Sequence, residues 1–178
     1  TEGKMKVIKT DFLDKDKALL ALTLNNEQRS SIEVAVWEFI KNEKKFDPQD
    51  IFNQTKRIYE EPFDSEKKYS MTINKIGGKE IAFLMGAPEI ILSFCQILDK
   101  EKNKILVEIE KWADEGLKIL GTASKEKMGL KEKKEFSWLG LIGINDPIRK
   151  EAKEAILIAQ KAGIKVKIVT GDYRKTAE

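Results

Sequence analysis

The chain has 178 residues, 35% of them charged, with 33 Lys and Arg against 30 Asp and Glu, no histidine and one cysteine. That length suffices for one good core, or for one domain and a piece of another, and a net charge of +3 with lysines and glutamates interleaved is not a nucleic-acid-binding balance. Histidine triads and Cys/His zinc sites are excluded outright, and no apolar run approaches a membrane span, so no direct membrane contact by this segment is expected.

Residues 4–10 predict a first strand and Asp14–Leu24 a helix. After the polar connection 25–29, Ser30 or Ser31 caps a helix over Ile32–Asn42 that turns Val34, Trp37 and Ile40 toward a core. Between Lys56 and Leu84 the period changes: Tyr69, Met71 and Ile73 alternate with Ser70, Thr72 and Asn74. Gly77-Gly78 then joins 68–76 to 79–84 as a two-residue hairpin. Pro88 opens a short helix to Phe94, in the first turn where its missing N–H does no harm. A lysine-rich helix follows over Lys100–Glu115, and Gly116 ends it. Strands near 117–124 and 135–144 flank a charged loop, 125–134. Hairpins and helices in this alternation make an α+β domain. Cys95, set among apolar neighbours and without a partner, reads as a buried free thiol in a reducing compartment.

The last stretch has its own pattern. Leu139–Ile144 is an apolar run of strand length, and Pro147 breaks the chain after it. Apolar residues recur at helical spacing from Arg149 to Ala162, Gly163 suits a left-handed helix end, and Ile164–Val169 is β-branched. By default that is a right-handed βαβ crossover, with Thr170, Gly171 and Asp172 beyond the carboxyl end of its second strand. A hydroxyl, an unencumbered backbone and a carboxylate suit a phosphate with its magnesium. An ordinary turn in which Asp172 caps the following segment fits the spacing equally well.

Three further features stand out. Phe63 lies in a polar setting ahead of Lys67 and Lys68, as a base-stacking ring beside cations would, or as a core ring beside a solvated turn. Gly86-Ala87-Pro88-Glu89 passes from strand to helix, which is either free backbone amides or plain punctuation. Lys118 sits on an otherwise apolar strand, as a ligand contact or a snorkelling side chain.

Taken together, these segments resemble the cytoplasmic nucleotide-binding region of a P-type cation-transporting ATPase. The resemblance rests on Thr1-Glu2-Gly3-Lys4-Met5, Phe63 through Met71, Gly86-Ala87-Pro88-Glu89, Gly116-Leu117-Lys118-Ile119-Leu120, Asp146-Pro147-Ile148-Arg149, and Thr170-Gly171-Asp172 with Thr176-Ala177. They keep the family's order and spacing over essentially the whole chain.

The resemblance implies an α+β nucleotide-binding (N) domain over 4–144, with an antiparallel sheet and helical hairpins. Residues 1–3 would end the phosphorylation signature, 145–149 would form a hinge, and 150–178 would be a βαβ fragment of a haloacid-dehalogenase-like Rossmannoid phosphorylation domain. It implies ATP and Mg2+ as ligands of the full-length pump, with the phosphorylated aspartate upstream of Thr1. Phe63 would stack on adenine, Glu33 would lie near its amino group, and Lys68 and Lys118 would line the pocket with Gly86 and Ala87. Thr170, Gly171 and Asp172 would meet the phosphate side, and Asp146, Pro147 and Arg149 the hinge. The expected partners are the remaining phosphorylation, actuator and transmembrane domains, placing this segment in the cytoplasm. Alone it is expected to bind ATP without turnover. Met85 stands where the family's best-known motif has lysine, and the lack of histidine departs from the heavy-metal branch. Two other readings remain: a freestanding dehalogenase-like phosphatase, for which Asp11, Asp14 and Asp16 follow no suitable apolar strand, and a non-enzymatic module binding an acidic partner.

Overall fold

The computed structural model describes residues 4–43, 46–126, 133–147 and 151–167. Six strands, β1 (Lys6–Phe12), β2 (Lys56–Asp64), β3 (Tyr69–Ile76), β4 (Lys79–Gly86), β5 (Lys118–Glu126) and β6 (Ser137–Asn145), form one sheet in the order β1-β6-β5-β4-β3-β2. Every pairing is antiparallel. The helices are α1 (Lys15–Leu24), α2 (Ser31–Lys41), α3 (Pro48–Gln54), α4 (Pro88–Phe94), α5 (Asp99–Asp114) and α6 (Ala152–Lys161).

Strand alternation divides the sheet between two helical layers. Tyr69, Met71 and Ile73 of β3 pack with Ile91 and Leu92 of α4 and Trp112 of α5. On the other face Met85, Ile142 and Ile144 meet Leu19 and Leu22 of α1 and Val36 and Ile40 of α2. Covered on both faces, the interior strand β6 is buried from Trp138 to Ile144, as a near-continuous apolar run must be. α1, with Ala18, Leu19, Ala21, Leu22 and Leu24 all buried, belongs between the sheet and the outer helices.

Local signals set the boundaries. Asp14 caps α1 by accepting from the Lys17 N–H at 3.0 Å, and Ser30 caps α2 by accepting from the Glu33 N–H at 3.2 Å. α3, for which the periodicity gives no sign, begins at Asp47-Pro48: the carboxylate accepts from Gln49 and Asp50 at 2.9 and 3.2 Å, and proline fills the first helical position. The β3–β4 turn places Gly77 and Gly78 at φ of +58° and +80°, the sign required twice by the tight hairpin that matches strand twist.

Two expectations are corrected. Val34 does not face the core but is 45% exposed; two residues from Val36, it lies about 200° around the helix from that buried side chain. The βαβ crossover is absent among the described residues. Leu139–Ile144 pairs antiparallel with both β1 and β5, residues 164–167 form no strand, and α6 buries none of its residues. A local βαβ pattern cannot register that neighbours distant in sequence already occupy both edges of its first strand. The α+β sheet domain is thus seen, whereas the Rossmannoid fragment expected over 150–178 lies partly outside the described residues and is not seen within them.

Candidate functional site

A cavity of about 370 Å³ opens between the amino end of α2 and the β2–β3–β4 end of the sheet. Its size falls in the range of small-molecule sites, roughly 300–1,000 Å³. Each wall has a traceable origin.

The upper wall is the connection 25–29, welded in place by polar contacts. Asn26 donates to the Glu33 carbonyl at 2.8 Å and accepts from the Gln28 N–H at 2.9 Å. Arg57 of β2 clasps the same connection: its guanidinium bonds the Glu27 carboxylate, the Leu24 carbonyl at 2.9 Å and Glu60 at 2.8 Å. Glu33, at capping-box spacing from Ser30, reaches one residue past the cap: its carboxylate accepts from the Arg29 N–H at 2.6 Å while the Ser30 hydroxyl accepts from the Glu33 N–H.

The outer wall is Pro62-Phe63. Glu61 pairs with Met71 but Asp64 with Tyr69, so the edge strand β2 carries one extra residue here. Such a bulge accommodates proline on an edge and re-aims the side chain beside it. Phe63 is thereby held out at 58% exposure over the cavity. The floor is Ile32, Met85 and Leu120, with Ser70 and Thr72 of β3 beside them.

Gly86 closes the floor where β4 ends. A Cβ there would stand 2.3 Å from the Lys68 carbonyl oxygen and 2.6 Å from the Tyr69 Cα, so only glycine permits this approach. Lys68 itself has φ of +62°, and its carbonyl accepts from the Ala87 N–H at 2.9 Å. The turn that presents it is built by Asp64, whose carboxylate accepts from the Glu66 and Lys67 amides at 2.7 and 3.0 Å. Those amides, that of Lys67 foremost, hold the Asp64 pKa below its usual value.

Four glutamates line the cavity, Glu27, Glu33, Glu60 and Glu61, against one cation, Arg29. Each carboxylate is already engaged. Burial alone would raise the Glu61 pKa, but hydrogen bonds from Lys133 at 2.5 Å and Lys67 at 2.8 Å outweigh it and hold the group below the usual range. Lys133 also donates to the Tyr69 hydroxyl at 2.6 Å. The single lining cation, Arg29, is exposed and stands 3.9 Å from the Glu27 carboxylate, while an uncharged aromatic base finds a ring, an apolar floor and polar edges.

Of the residues singled out in sequence, Glu33, Phe63, Met85 and Gly86 line this cavity together. Lys68 and Ala87 adjoin it through the backbone of Gly86 without lining it. Lys118 shares a face of β5 with Leu120, two residues or roughly 6.6 Å further along the strand. Asp146 and Pro147 follow β6, and the Asp146 Oδ1 is buried without a hydrogen-bond partner among the described residues. Arg149, Thr170, Gly171 and Asp172 lie outside the described residues. Sequence reasoning missed Asn25, Glu27, Arg29, Glu60, Ser70 and Thr72. Only the polar phase of the Ser70-Thr72 alternation signalled any of them.

Three further candidates carry nothing. Among the described residues no three or more Cys, Asp or Glu side chains stand together to hold a metal ion, and no helix is long and apolar enough to cross a membrane. Cys95 is partly buried rather than enclosed, and that burial pushes its pKa up to about 12.

Comparison with known proteins gives a consistent family. Residues 23–151 match the family described as P-type ATPase, cytoplasmic domain N. The chain is 34% identical over 130 residues to a probable cation-transporting P-type ATPase of Mycoplasma genitalium, covering 68% of this chain and 15% of that one. It is 31% identical over 146 residues to calcium-transporting ATPase 1 of Lactococcus lactis, with 73% and 17% covered. Human calcium-transporting ATPase type 2C member 2 is likewise 31% identical over 146 residues, with 75% and 15% covered. The match thus spans about a sixth of the length of these relatives. On the extent of the family match and on these identities, the chain belongs to the P-type cation-transporting ATPases and contains their cytoplasmic N domain.

Proposed function

We propose that the cavity beneath Phe63 is the ATP site of a P-type cation pump, in which this domain holds the adenine end and delivers the triphosphate to an aspartate supplied by another part of the protein. The observation that carries this reading is a bulge-presented, exposed aromatic ring over an apolar floor whose carboxylates are all spoken for. Phe63 stacks on the base. Ile32, Met85 and Leu120 exclude water from its other side. Gly86 lets the ligand approach the strand backbone, and Lys68 and Lys118 face the phosphates at the mouth.

The chemistry then lies elsewhere in the pump. Attack of the aspartate oxygen on the γ-phosphorus releases ADP and leaves an aspartyl-phosphate, a reaction in which positioning supplies much of the rate. Magnesium accompanies the triphosphate when ATP is bound. The expected phosphate-side Thr170, Gly171 and Asp172, and the hinge residues Asp146, Pro147 and Arg149, would act at that stage, with the remaining phosphorylation, actuator and transmembrane domains as partners. This segment alone binds without turning over. Several relatives are named as calcium-transporting, which makes calcium the first cation to test in the full-length pump.

An acidic protein partner is less well served, because four glutamates line the same cavity. A freestanding phosphatase is no better supported: Asp14 is spent on capping α1, and Asp16 sits in its first turn. The test is nucleotide titration against Phe63→Ala. Loss of stacking is worth about 1–3 kcal/mol, or roughly five- to a hundredfold in Kd, with the melting temperature nearly unchanged because the ring is exposed. Unaltered ATP affinity in a folded variant refutes the assignment.

A further inference from the structure

The cavity wall holds polar atoms that stacking and apolar contact leave unexplained. Ser70, Thr72 and Asn74 share one face of β3 and are 6%, 2% and 0% exposed, opposite Met85, Phe83 and Ile81 of β4. An apolar residue at each position would bury more cheaply, since a buried polar group without a partner is costly. Ser70 and Thr72 line the cavity, as does Asn25, which is 5% exposed.

Their hydrogen bonds define a pattern. The Asn25 Nδ2 donates to the Ala21 carbonyl at 2.9 Å, and its Oδ1 is buried with no partner. That bond fixes the amide, because turning it over would set two acceptors against each other. The Thr72 Oγ1 accepts from the Asn74 Nδ2 at 2.8 Å, which leaves the hydroxyl proton for another acceptor. Both the Asn25 Oδ1 and the Asn74 Oδ1 are buried without a partner, but only Asn25 lines the cavity; it offers an acceptor locked in orientation, and Thr72, with the Asn74 amide turned as it is, offers a donor.

We propose that Asn25 and Thr72 read the edge of the bound base, Asn25 Oδ1 accepting from an exocyclic 6-amino group and the Thr72 hydroxyl donating to ring nitrogen N1. Adenine presents that donor and that acceptor. A 6-oxopurine presents the reverse, a carbonyl at position 6 and a protonated N1, so it sets an acceptor against the locked Asn25 oxygen. The preference is for 6-aminopurines, and it arises at two residues that neither stack nor touch phosphate. The Asn25 oxygen is closed to solvent, so the wall must give as the base seats. This inference rests on the reading of the cavity as a nucleotide site and deepens it.

The experiment is isothermal titration of the 178-residue chain with ATP, with inosine triphosphate and with N6,N6-dimethyl-ATP, repeated for Thr72→Val, Thr72→Ser and Asn25→Leu. The parent is expected to bind ATP about tenfold or more tightly than either analogue, the worth of one good buried hydrogen bond. Thr72→Val and Asn25→Leu should bring ATP and inosine triphosphate toward equal affinity, chiefly by weakening ATP. Thr72→Ser, which keeps the hydroxyl, should retain the preference. The dimethyl analogue needs no variant, so a fold lost on substitution does not shelter the proposal. Binding of all three nucleotides by the parent within about twofold overturns it, as does a preference for ATP that survives in both Thr72→Val and Asn25→Leu. If no nucleotide binds the parent at all, the nucleotide-site reading falls and this inference falls with it.

Discussion

Gly86→Ala is the substitution that bears most directly on how the site is built. Gly86 pairs with Tyr69 across the β3–β4 ladder, and an added Cβ would stand 2.3, 2.6 and 2.7 Å from the Lys68 carbonyl oxygen, the Tyr69 Cα and the Tyr69 Cβ. Two of those atoms are backbone, so relief requires the strands to separate rather than a side chain to swing. Overpacking of this kind costs about 1–3 kcal/mol. Separation also strains the Ala87 N–H to Lys68 carbonyl bond, now 2.9 Å, worth about 0.5–1.5 kcal/mol. The sum, roughly 2–4 kcal/mol, corresponds to a fall in Tm of about 5–15 °C for a protein of this length. ATP affinity should fall as well, because the floor and the ring of Phe63 move apart. Gly78→Ala is the comparison: φ there is +80°, yet nothing lies within 4 Å. It should cost only the left-handed strain of about 1–2 kcal/mol and leave ATP binding alone. Thermal unfolding by circular dichroism with parallel nucleotide titration reads both quantities. A Gly86→Ala protein that melts within about 2 °C of the parent and binds ATP normally would refute the close approach.

Two other outcomes are expected. Met85→Lys puts a cation in the floor, beside the cavity but also in the core with Leu19 and Ile142; it should lower Tm while raising the ratio of ATP to adenosine affinity about fivefold, from roughly 1 kcal/mol of added phosphate contact, and an unchanged ratio would sink the idea. Glu61, held below the ordinary glutamate value of 4.5 despite its burial, contributes stability that is fully present above that value and lost as pH falls through the lower folded pKa. The stability gap between the parent and Glu61→Gln should therefore close under acid, and a gap constant from neutral pH down to about pH 2 would contradict the Lys133–Glu61–Lys67 arrangement.

The sheet domain was legible where a local rule had no competitor. Asp14 and Ser30 cap where capping chemistry places them, and Gly77-Gly78 makes the hairpin that the flanking alternation demands. Half of the cavity could be read as well: Phe63, Gly86 and Met85 are unusual residues for their positions, and the eye is drawn to them. The other half was not, because the polar connection 25–29 has no period and acquires its shape from Arg57, about thirty residues further on. Glu33 shows a different limit. Its spacing from Ser30 already spelled a capping box, so part of its carboxylate is committed to the Arg29 amide whatever else it does. The βαβ reading shows the complementary limit, since the pairing of its first strand, β6, is decided by β1, more than a hundred residues away in sequence.

That same pairing has a mechanical consequence. Lys6, at the start of β1, stands opposite Asn145, at the end of β6, so the chain comes into the domain and goes out of it through two adjacent, oppositely directed strands. Tension applied across those two points would not shear the ladder as a whole. It would open it rung by rung from the Lys6–Asn145 end, because antiparallel hydrogen bonds lie across the strands and are loaded one after another. The stem is thus soft to peeling and stiff to sliding, and because Leu120 of the cavity floor pairs with Ile142 of β6, strain that travels up the stem reaches the cavity through β5.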